Sequence, residues 1–186
     1  MSDHVVTHRR TERRHMIAVK DALAAGLRAS PASPESLLAC VDYLGYIIGR
    51  FNAQGRANVA HLLPRVATAR NEEDRRIVAD IAATISTTET ELGLLLAAAA
   101  AFRKEPERRM PDLLKAGHRF VVYYNTVLAA RKNPAQEIIG RYFDDTEYWA
   151  LTDDVTPASI EAERSLFLRV TAQAPPGSGF PPREAE

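Results

Sequence analysis

Apolar residues recur every three or four positions along most of this chain, and this spacing predicts amphipathic α-helices. Prolines and capping residues separate the periodic segments, as is typical where one helix ends and the next begins. We predict Ser33 as the cap of the second helix and Asn71 as the cap of the third. We predict four long helices over about residues 3–29, 34–63, 72–103 and 111–132, and shorter ones over about 135–142 and 158–172. No segment has the period of two that indicates a half-buried strand.

Four long helices with short connections predict an all-α fold, namely an antiparallel up-down-up-down four-helix bundle with additional short C-terminal helices. Residues 104–110 are predicted to form a charged connection before the fourth helix. We expect a single helical-bundle domain over residues 1–172, because a chain of this length buries enough apolar surface to offset the entropy of ordering it. The tail over residues 173–186 is rich in Pro and Gly, and we expect it to be disordered.

Polar residues interrupt the apolar stripe of the second helix. Asn52 and Arg56 follow Ile48 at helical spacing, so the pattern places both on the apolar face. An unpaired arginine in the interior is costly, so Arg56 would need an anionic ligand or a carboxylate such as Glu89. In the alternative interpretation, Arg56 and Arg131 extend into water and the buried amides pair with each other.

The fourth helix carries further candidates. Asn125 and Thr126 interrupt an apolar run, and Arg131 follows after one more turn. His118 and Tyr124 are candidate catalytic residues, because imidazole titrates near neutral pH and a buried tyrosine can donate a hydrogen bond to an oxyanion. Such side chains are also common as hydrogen-bonding groups at the rim of a core.

The first helix carries His8, Glu12 and His15 on one face, with side chains that can bind a metal. Carboxylate di-iron bundles contain a Glu-x-x-His step of this kind, but they need a second such motif and further glutamates from facing helices. The sequence has no second motif. We interpret the three residues as an exposed polar first turn, with a mononuclear metal site as the alternative.

Charge and cysteine content narrow the function classes. The 24 basic and 24 acidic residues cancel, so nothing predicts binding to nucleic acid or to an anionic membrane. Cys40, the single cysteine, lies among apolar residues, which indicates a buried thiol and a reducing, cytoplasmic location. The longest apolar run, over residues 92–102, is too short to span a bilayer, and the N-terminus lacks the apolar segment of a signal peptide.

Two segments resemble the bacterial hemerythrin-like (HHE cation-binding) family. They are YLGYIIGRF followed by LLP in the second helix, and RYFDDTEYWALT after the fourth helix. The similarity covers about residues 10–150. That family is a four-helix bundle with a non-haem di-iron centre, and it senses or carries oxygen or handles iron. The resemblance therefore implies the bundle fold and a central cavity.

The positions that hold iron in that family carry other residues in this chain. They fall on Asn52 and Arg56, or on Gln54 and Asn58 in a second register, and on Ser86, Thr90, Thr126 and Arg131. Iron needs imidazole and carboxylate ligands, which these side chains do not supply. The resemblance therefore implies the fold without the di-iron site and without a cofactor.

We therefore expect the centre of the bundle to bind a small polar or anionic molecule. The residues expected to contact it are Asn52, Arg56, Glu89, Thr126 and Arg131. One alternative is a cofactor-independent biosynthetic enzyme that catalyses an isomerisation, elimination or cyclisation in the same cavity. Two others are a divergent iron- or oxygen-binding protein and a purely structural or dimerising bundle. We expect a cytoplasmic monomer or homodimer without nucleic-acid or membrane partners.

Overall fold

A computed structural model of the chain describes residues 3–129, 134–144, 147, 155–174, 178 and 180. These residues form helices and no strands, which confirms the predicted all-α class. The helices are α1 (Asp3–Arg28), α2 (Pro34–Ala69), α3 (Glu72–Lys104), α4 (Pro106–Tyr123), α5 (Pro134–Tyr142) and α6 (Pro157–Gln173). None of the described helices is long and apolar enough to cross a membrane.

Local sequence sets the starts of three helices. The Ser33 side chain accepts a hydrogen bond from the backbone N–H of Ser36, and Asn71 caps the first turn of α3 in the same way. Thr156 and Ser159 form a reciprocal capping box at the start of α6. These side chains satisfy backbone N–H groups that the first turn leaves unpaired. The caps predicted for α2 and α3 are confirmed.

The predicted start of the fourth helix is wrong. The charged segment after α3 is not a connection, because α4 begins at Pro106 and only Glu105 separates the two helices. Pro106 occupies the first helical position, where a missing N–H is tolerated. Pro111 lies inside α4, close enough to its start that the helix continues with the loss of one backbone hydrogen bond.

The end of the fourth helix also differs from the prediction. The α-helix stops at Tyr123 and continues as a π-helical turn over Tyr124–Leu128, closed by a hydrogen bond of 2.9 Å from the N–H of Ala129 to the carbonyl of Tyr124. A π-helical turn inserts one extra residue and so changes which side chains face the core. Arg131 and the predicted end of this helix lie outside the described residues.

Consecutive long helices contact each other in antiparallel order, and α1 also contacts α4. The contacting pairs are Gly26–Leu37 and Glu12–Arg50 between α1 and α2, and Gly45–Leu96 and Gly55–Ile85 between α2 and α3. They are Thr88–Tyr123 and Glu91–Arg119 between α3 and α4. Between α1 and the fourth helix with its π-helical turn they are Leu27–Gly117 and Lys20–Tyr124. In each pair of helices, the order of residues along one helix runs opposite to the order along the other. In addition, α6 packs on α1 and α2, and α5 packs on α2 and α3.

The buried apolar side chains form two clusters. The larger cluster joins α1, α2, α3, α4 and α6, and it includes the fully buried Cys40, as predicted. The smaller cluster joins α2, α3 and α5 around Leu62, Val78 and Ile138. Of the predicted tail, the structure describes residues 173, 174, 178 and 180, and the ring of Phe180 lies 5.6 Å from that of Phe167. The division into a domain and a tail stays a prediction.

Candidate functional site between α1, α2 and α6

The residues predicted to line a central cavity do not share one environment. Asn52 is buried, and its Nδ2 has no hydrogen-bond partner among the described residues. Arg56 pairs with Glu89 as predicted, but the pair lies at the surface, with 58% and 39% of the two side chains exposed. Thr126 is exposed and donates a hydrogen bond of 2.8 Å to the carbonyl of Val122. The prediction of Arg56 in the interior is therefore wrong, because the long side chain reaches water from a position one turn beyond Asn52.

The two predicted catalytic residues also face different surroundings. His118 is exposed on α4. Tyr124 is buried, with its ring 6.5 Å from that of Phe120 and 5.7 Å from Nζ of Lys20. Burial, together with the negative charge of Asp21, raises the pKa of Tyr124 above its ordinary value. His118 and Tyr124 therefore do not share one site.

Buried polar groups instead come together where α1 meets α2 and α6. This α1–α2–α6 cluster consists of His8, Arg9, Glu12, His15, Tyr43, Arg50 and Glu163. Two of its members, Glu12 and Glu163, are buried carboxylates. A buried carboxylate is costly unless it is paired and hydrogen-bonded. The cluster is therefore organised around these two acids.

Glu12 lies at the centre of one half of the cluster. Arg50 Nη1 donates to Glu12 Oε1 at 2.6 Å, and Arg9 Nη1 donates to Oε2 at 3.1 Å. His8 Nε2 lies 3.2 Å from Oε1. The interpretation of His8, Glu12 and His15 as an exposed polar turn is therefore wrong, since Glu12 is 0% exposed and both histidines are only partly exposed.

Glu163 lies at the centre of the other half. The Tyr43 hydroxyl donates to Glu163 Oε1 at 2.6 Å, and His15 Nδ1 lies 2.9 Å from the same oxygen. Burial alone would raise the pKa of Glu163, but these two hydrogen bonds and the nearby histidines lower it below its ordinary value. Burial, the hydrogen bond and the charge of Glu163 raise the pKa of Tyr43 far above its ordinary value. Glu163 is therefore an ionised acceptor and Tyr43 a neutral donor.

These contacts orient the imidazole ring of His15. In a neutral imidazole that donates from Nδ1 to a carboxylate, the other nitrogen, Nε2, is an acceptor. The ring stacks on Phe167 with 3.6 Å between centroids and 10° between planes. Its side chain is 27% exposed, and the described residues offer Nε2 no hydrogen-bond partner. In this neutral form His15 has an oriented hydrogen-bond acceptor at Nε2.

The cluster does not fit a metal centre. The three candidate ligands do not converge on one point, since His8 lies against Glu12 whereas His15 contacts Glu163. Both Glu12 oxygens accept hydrogen bonds from guanidinium groups, whose positive charge opposes a cation. Across the part of the chain that the structure describes, no group of three or more His, Cys, Asp and Glu side chains is arranged to hold a metal ion.

Two of the open grooves that the described residues form at the surface can be compared with the cluster. One, of about 290 Å³, is lined by Arg50, Ala53, Gln54 and Ala57 and therefore borders the α1–α2–α6 cluster. The other, of about 480 Å³, is lined by Pro64, Arg65, Thr68, Ala69, Arg141 and Tyr142. In both grooves the arginines already contact acids, since Arg50 pairs with Glu12, Arg65 with Glu147 and Arg141 with Asp74. Only the first groove adjoins the buried polar cluster.

Comparisons of the chain with models of protein families, with curated proteins and with solved structures find no match. The resemblance to hemerythrin-like proteins is therefore a prediction that these comparisons leave untested. We therefore infer the function from the residues of the site.

The sequence analysis missed four members of the cluster, Arg9, Tyr43, Arg50 and Glu163. A weak signal exists for Glu163, which stands between Ile160 and Val170 on the apolar face of α6. An acid at such a position indicates a buried partner. The sequence does not identify that partner, because His15 lies 148 positions away.

Proposed function

We propose that this protein binds a small polar molecule at the solvent-facing side of the α1–α2–α6 cluster, and that His15 Nε2 accepts a hydrogen bond from it. The observation that carries this proposal is the contact of 2.9 Å between His15 Nδ1 and Glu163, which orients the ring of a histidine whose side chain is 27% exposed. The proposed site thus lies between α1, α2 and α6, and not in the central cavity between α2, α3 and α4 that we expected from the sequence.

The energetic cost of the cluster supports a role beyond packing. Burying ionised groups is expensive, and apolar residues of similar volume often stabilise a core as well or better. Here two carboxylates are buried: Glu12 accepts from Arg50 at 2.6 Å and from Arg9 at 3.1 Å, and Glu163 accepts from Tyr43 at 2.6 Å. A set of fixed, preorganised dipoles is what a binding site requires, because it needs little rearrangement when a ligand arrives.

The neighbouring groove suggests the polarity of the ligand. Arg50 and Gln54 line it, so a carboxylate or phosphate group there would share the Arg50 guanidinium with Glu12, to which it donates at 2.6 Å, and the Gln54 amide with Asn58, to which it donates at 2.9 Å. A ligand with a hydroxyl or N–H at one end and an anionic group at the other would match His15 and this groove together. A small polar or anionic molecule thus remains the proposed ligand class.

A second candidate function, acid–base catalysis without a cofactor, rests on the same contact. A histidine whose Nδ1 contacts a carboxylate is held in the tautomer that can remove a proton through Nε2. In this version His15 takes the role that the sequence assigned to His118, and Glu163 acts as its positioning residue. Isomerisation or elimination would need only this base and a hydrogen-bond donor.

We also propose that α1 to α4 form an up-down-up-down four-helix bundle of the hemerythrin-like type without its di-iron site. The antiparallel order of contacts between consecutive helices and between α1 and α4 supports this topology. In this arrangement α6 covers the open edge between α1 and α2 and supplies Glu163.

A fragment screen followed by NMR tests the binding proposal. We expect polar fragments to shift the imidazole resonances of His15 and to lose binding in His15→Asn. His118→Asn changes an exposed histidine outside the cluster and serves as the matched control, so binding should survive there. The proposal fails if no fragment shifts His15, or if the hits bind wild type and His15→Asn equally.

A further inference from the structure

Four aromatic rings come together at His15, and one of them belongs to the segment that follows α6. The imidazole stacks on Phe167 with 3.6 Å between ring centroids. The Phe167 ring also lies 5.9 Å from that of Tyr43 and 5.6 Å from that of Phe180. Phe180 is half-buried and packs against the larger apolar cluster. We name His15, Tyr43, Phe167 and Phe180 the His15 aromatic cluster.

The local sequence allows Phe180 to reach Phe167. Ala174 precedes a proline, which disfavours helical backbone at the residue before it, and its backbone is extended, with φ −62° and ψ 134°. Helix α6 therefore ends at Gln173. Phe167 lies six residues before that end, or about 9 Å along the helix, and Phe180 lies seven residues after it. Seven residues span up to about 25 Å, so the chain is long enough to return to Phe167.

The Phe167 ring helps to orient the imidazole. The planes of the two rings differ by 10°, so the phenyl group covers one face of His15. The contact between Nδ1 and Glu163 holds a single atom of the imidazole, and it leaves the ring free to turn about that atom. Stacking on a second ring removes this freedom. The direction of Nε2 therefore depends on the position of the Phe167 ring.

Phe180 is the contact of Phe167 that comes from outside the three helices of the site. Tyr43 is fully buried and its hydroxyl donates to Glu163, so its ring is held within the helices. The Phe180 ring meets Phe167 edge-on, with an angle of 61° between the planes. Aromatic rings prefer this arrangement, and it favours one side-chain position by a factor of about two to ten. Removing Phe180 thus loosens Phe167.

We propose that Phe180 is a positioning residue for the binding site, and that its seating on Phe167 sets the affinity of the site. Phe180 holds Phe167, and Phe167 holds the imidazole of His15 in the orientation that a ligand meets. The inference rests on the proposed role of His15 in binding. When Phe180 leaves its seat, fewer molecules have an oriented imidazole, and the apparent affinity falls by the same fraction.

NMR spectra of the ligand-free full chain test the coupling between Phe180 and His15. The ring current of a stacked phenyl group displaces the resonances of the carbon-bound imidazole protons, so these resonances report the stack. In Phe180→Ala they should move toward the values of an unstacked imidazole. Phe180→Tyr keeps a ring in place and should leave them unchanged. Leu168→Ala removes an exposed side chain next to Phe167 in the sequence, and this matched control should also leave them unchanged.

Fragment affinities test the consequence for binding. Fragments that shift His15 in wild type should bind Phe180→Ala about two- to tenfold more weakly and Phe180→Tyr equally well. If the His15 resonances stay in place in Phe180→Ala while the urea midpoint falls, Phe180 has a structural role only and the proposal is overturned. Equal fragment affinities in wild type and Phe180→Ala would also overturn it, and would leave the binding site itself supported. If the resonances move but no fragment binds wild type, the coupling is supported and the binding proposal fails.

Discussion

Replacing Glu12 by glutamine removes the negative charge that Arg9, Arg50 and His8 face inside the α1–α2–α6 cluster. Glu12 is fully buried, and 13% of the Arg50 side chain is exposed, so the guanidinium group has little water to replace the lost carboxylate. Removing one partner of a fully buried ion pair costs about 3–5 kcal/mol. Because Arg50 and Arg9 retain some contact with solvent, we expect a loss of about 2–4 kcal/mol.

Urea unfolding monitored by circular dichroism measures this loss, and a thermal melt should show the midpoint falling by about 5–15 °C for a domain of this size. Asp42→Asn is the matched control. Asp42 also accepts hydrogen bonds from two arginines, Arg103 and Arg169, but it lies at the surface, where such pairs contribute about 0–1 kcal/mol. If Glu12→Gln costs no more than Asp42→Asn, the buried network at Glu12 is refuted.

Three further predictions concern single residues. Burial would raise the pKa of Glu163, but the hydrogen bonds that its carboxylate accepts lower this pKa below the value of 4.5 in an unfolded chain. The ionised carboxylate therefore stabilises the fold above pH 4.5. This stabilisation is lost as the pH falls through the lower pKa of the folded state. The difference in urea midpoint between wild type and Glu163→Gln should therefore be large at about pH 7 and shrink toward about pH 3; a constant difference would contradict this. Burial raises the pKa of the Cys40 thiol to about 12, so Ellman's reagent should fail to label the folded protein but should label it fully in denaturant. Rapid labelling of the folded protein would show instead that the thiol is accessible. Gly49→Ala should stabilise the protein by about 0.5–1 kcal/mol in urea unfolding, since nothing lies within 4 Å of an added Cβ, whereas at Gly45 the Cβ would lie 2.9 Å from Leu96 and the gain should be smaller or lost.

The parts of the fold that local sequence specifies were predicted well. Ser33 and Asn71 each cap a helix in the structure, because the chemistry of a cap depends on a few neighbouring residues. Proline was less informative, since Pro111 indicated a helix start but lies within α4, which begins at Pro106. Pro111, the sixth residue of α4, removes one backbone hydrogen bond without ending the helix, so a proline alone does not identify the first residue.

The site was predicted in part. The spacing of His8, Glu12 and His15 correctly placed three chemically active side chains on one face of α1. Their partners come from distant parts of the sequence, since Glu163 lies 148 positions from His15 and Arg50 lies 38 positions from Glu12. Helical periodicity carries no information about such pairs. It therefore suggested a metal or an exposed turn where the structure has two buried carboxylates with hydrogen-bond donors.

The error at Arg56 has a different cause. A step of four residues turns a helix by slightly more than one full turn, so Asn52 and Arg56 share a face only approximately. The short amide stays inside, whereas the long arginine side chain reaches the surface and pairs with Glu89. Periodicity identifies a side of a helix, but the length of the side chain decides where its charge lies.

Determining the tautomer of His15 directly tests whether its Nε2 is free to accept a hydrogen bond from a ligand. Long-range ¹H–¹⁵N NMR spectra in mildly alkaline buffer, where imidazoles are ordinarily neutral, distinguish the protonated ring nitrogen from the unprotonated one. We predict a protonated Nδ1 that donates to Glu163 and an unprotonated Nε2 whose resonance moves when a polar fragment binds. A proton on Nε2, or an Nε2 resonance that no fragment moves, would contradict this prediction.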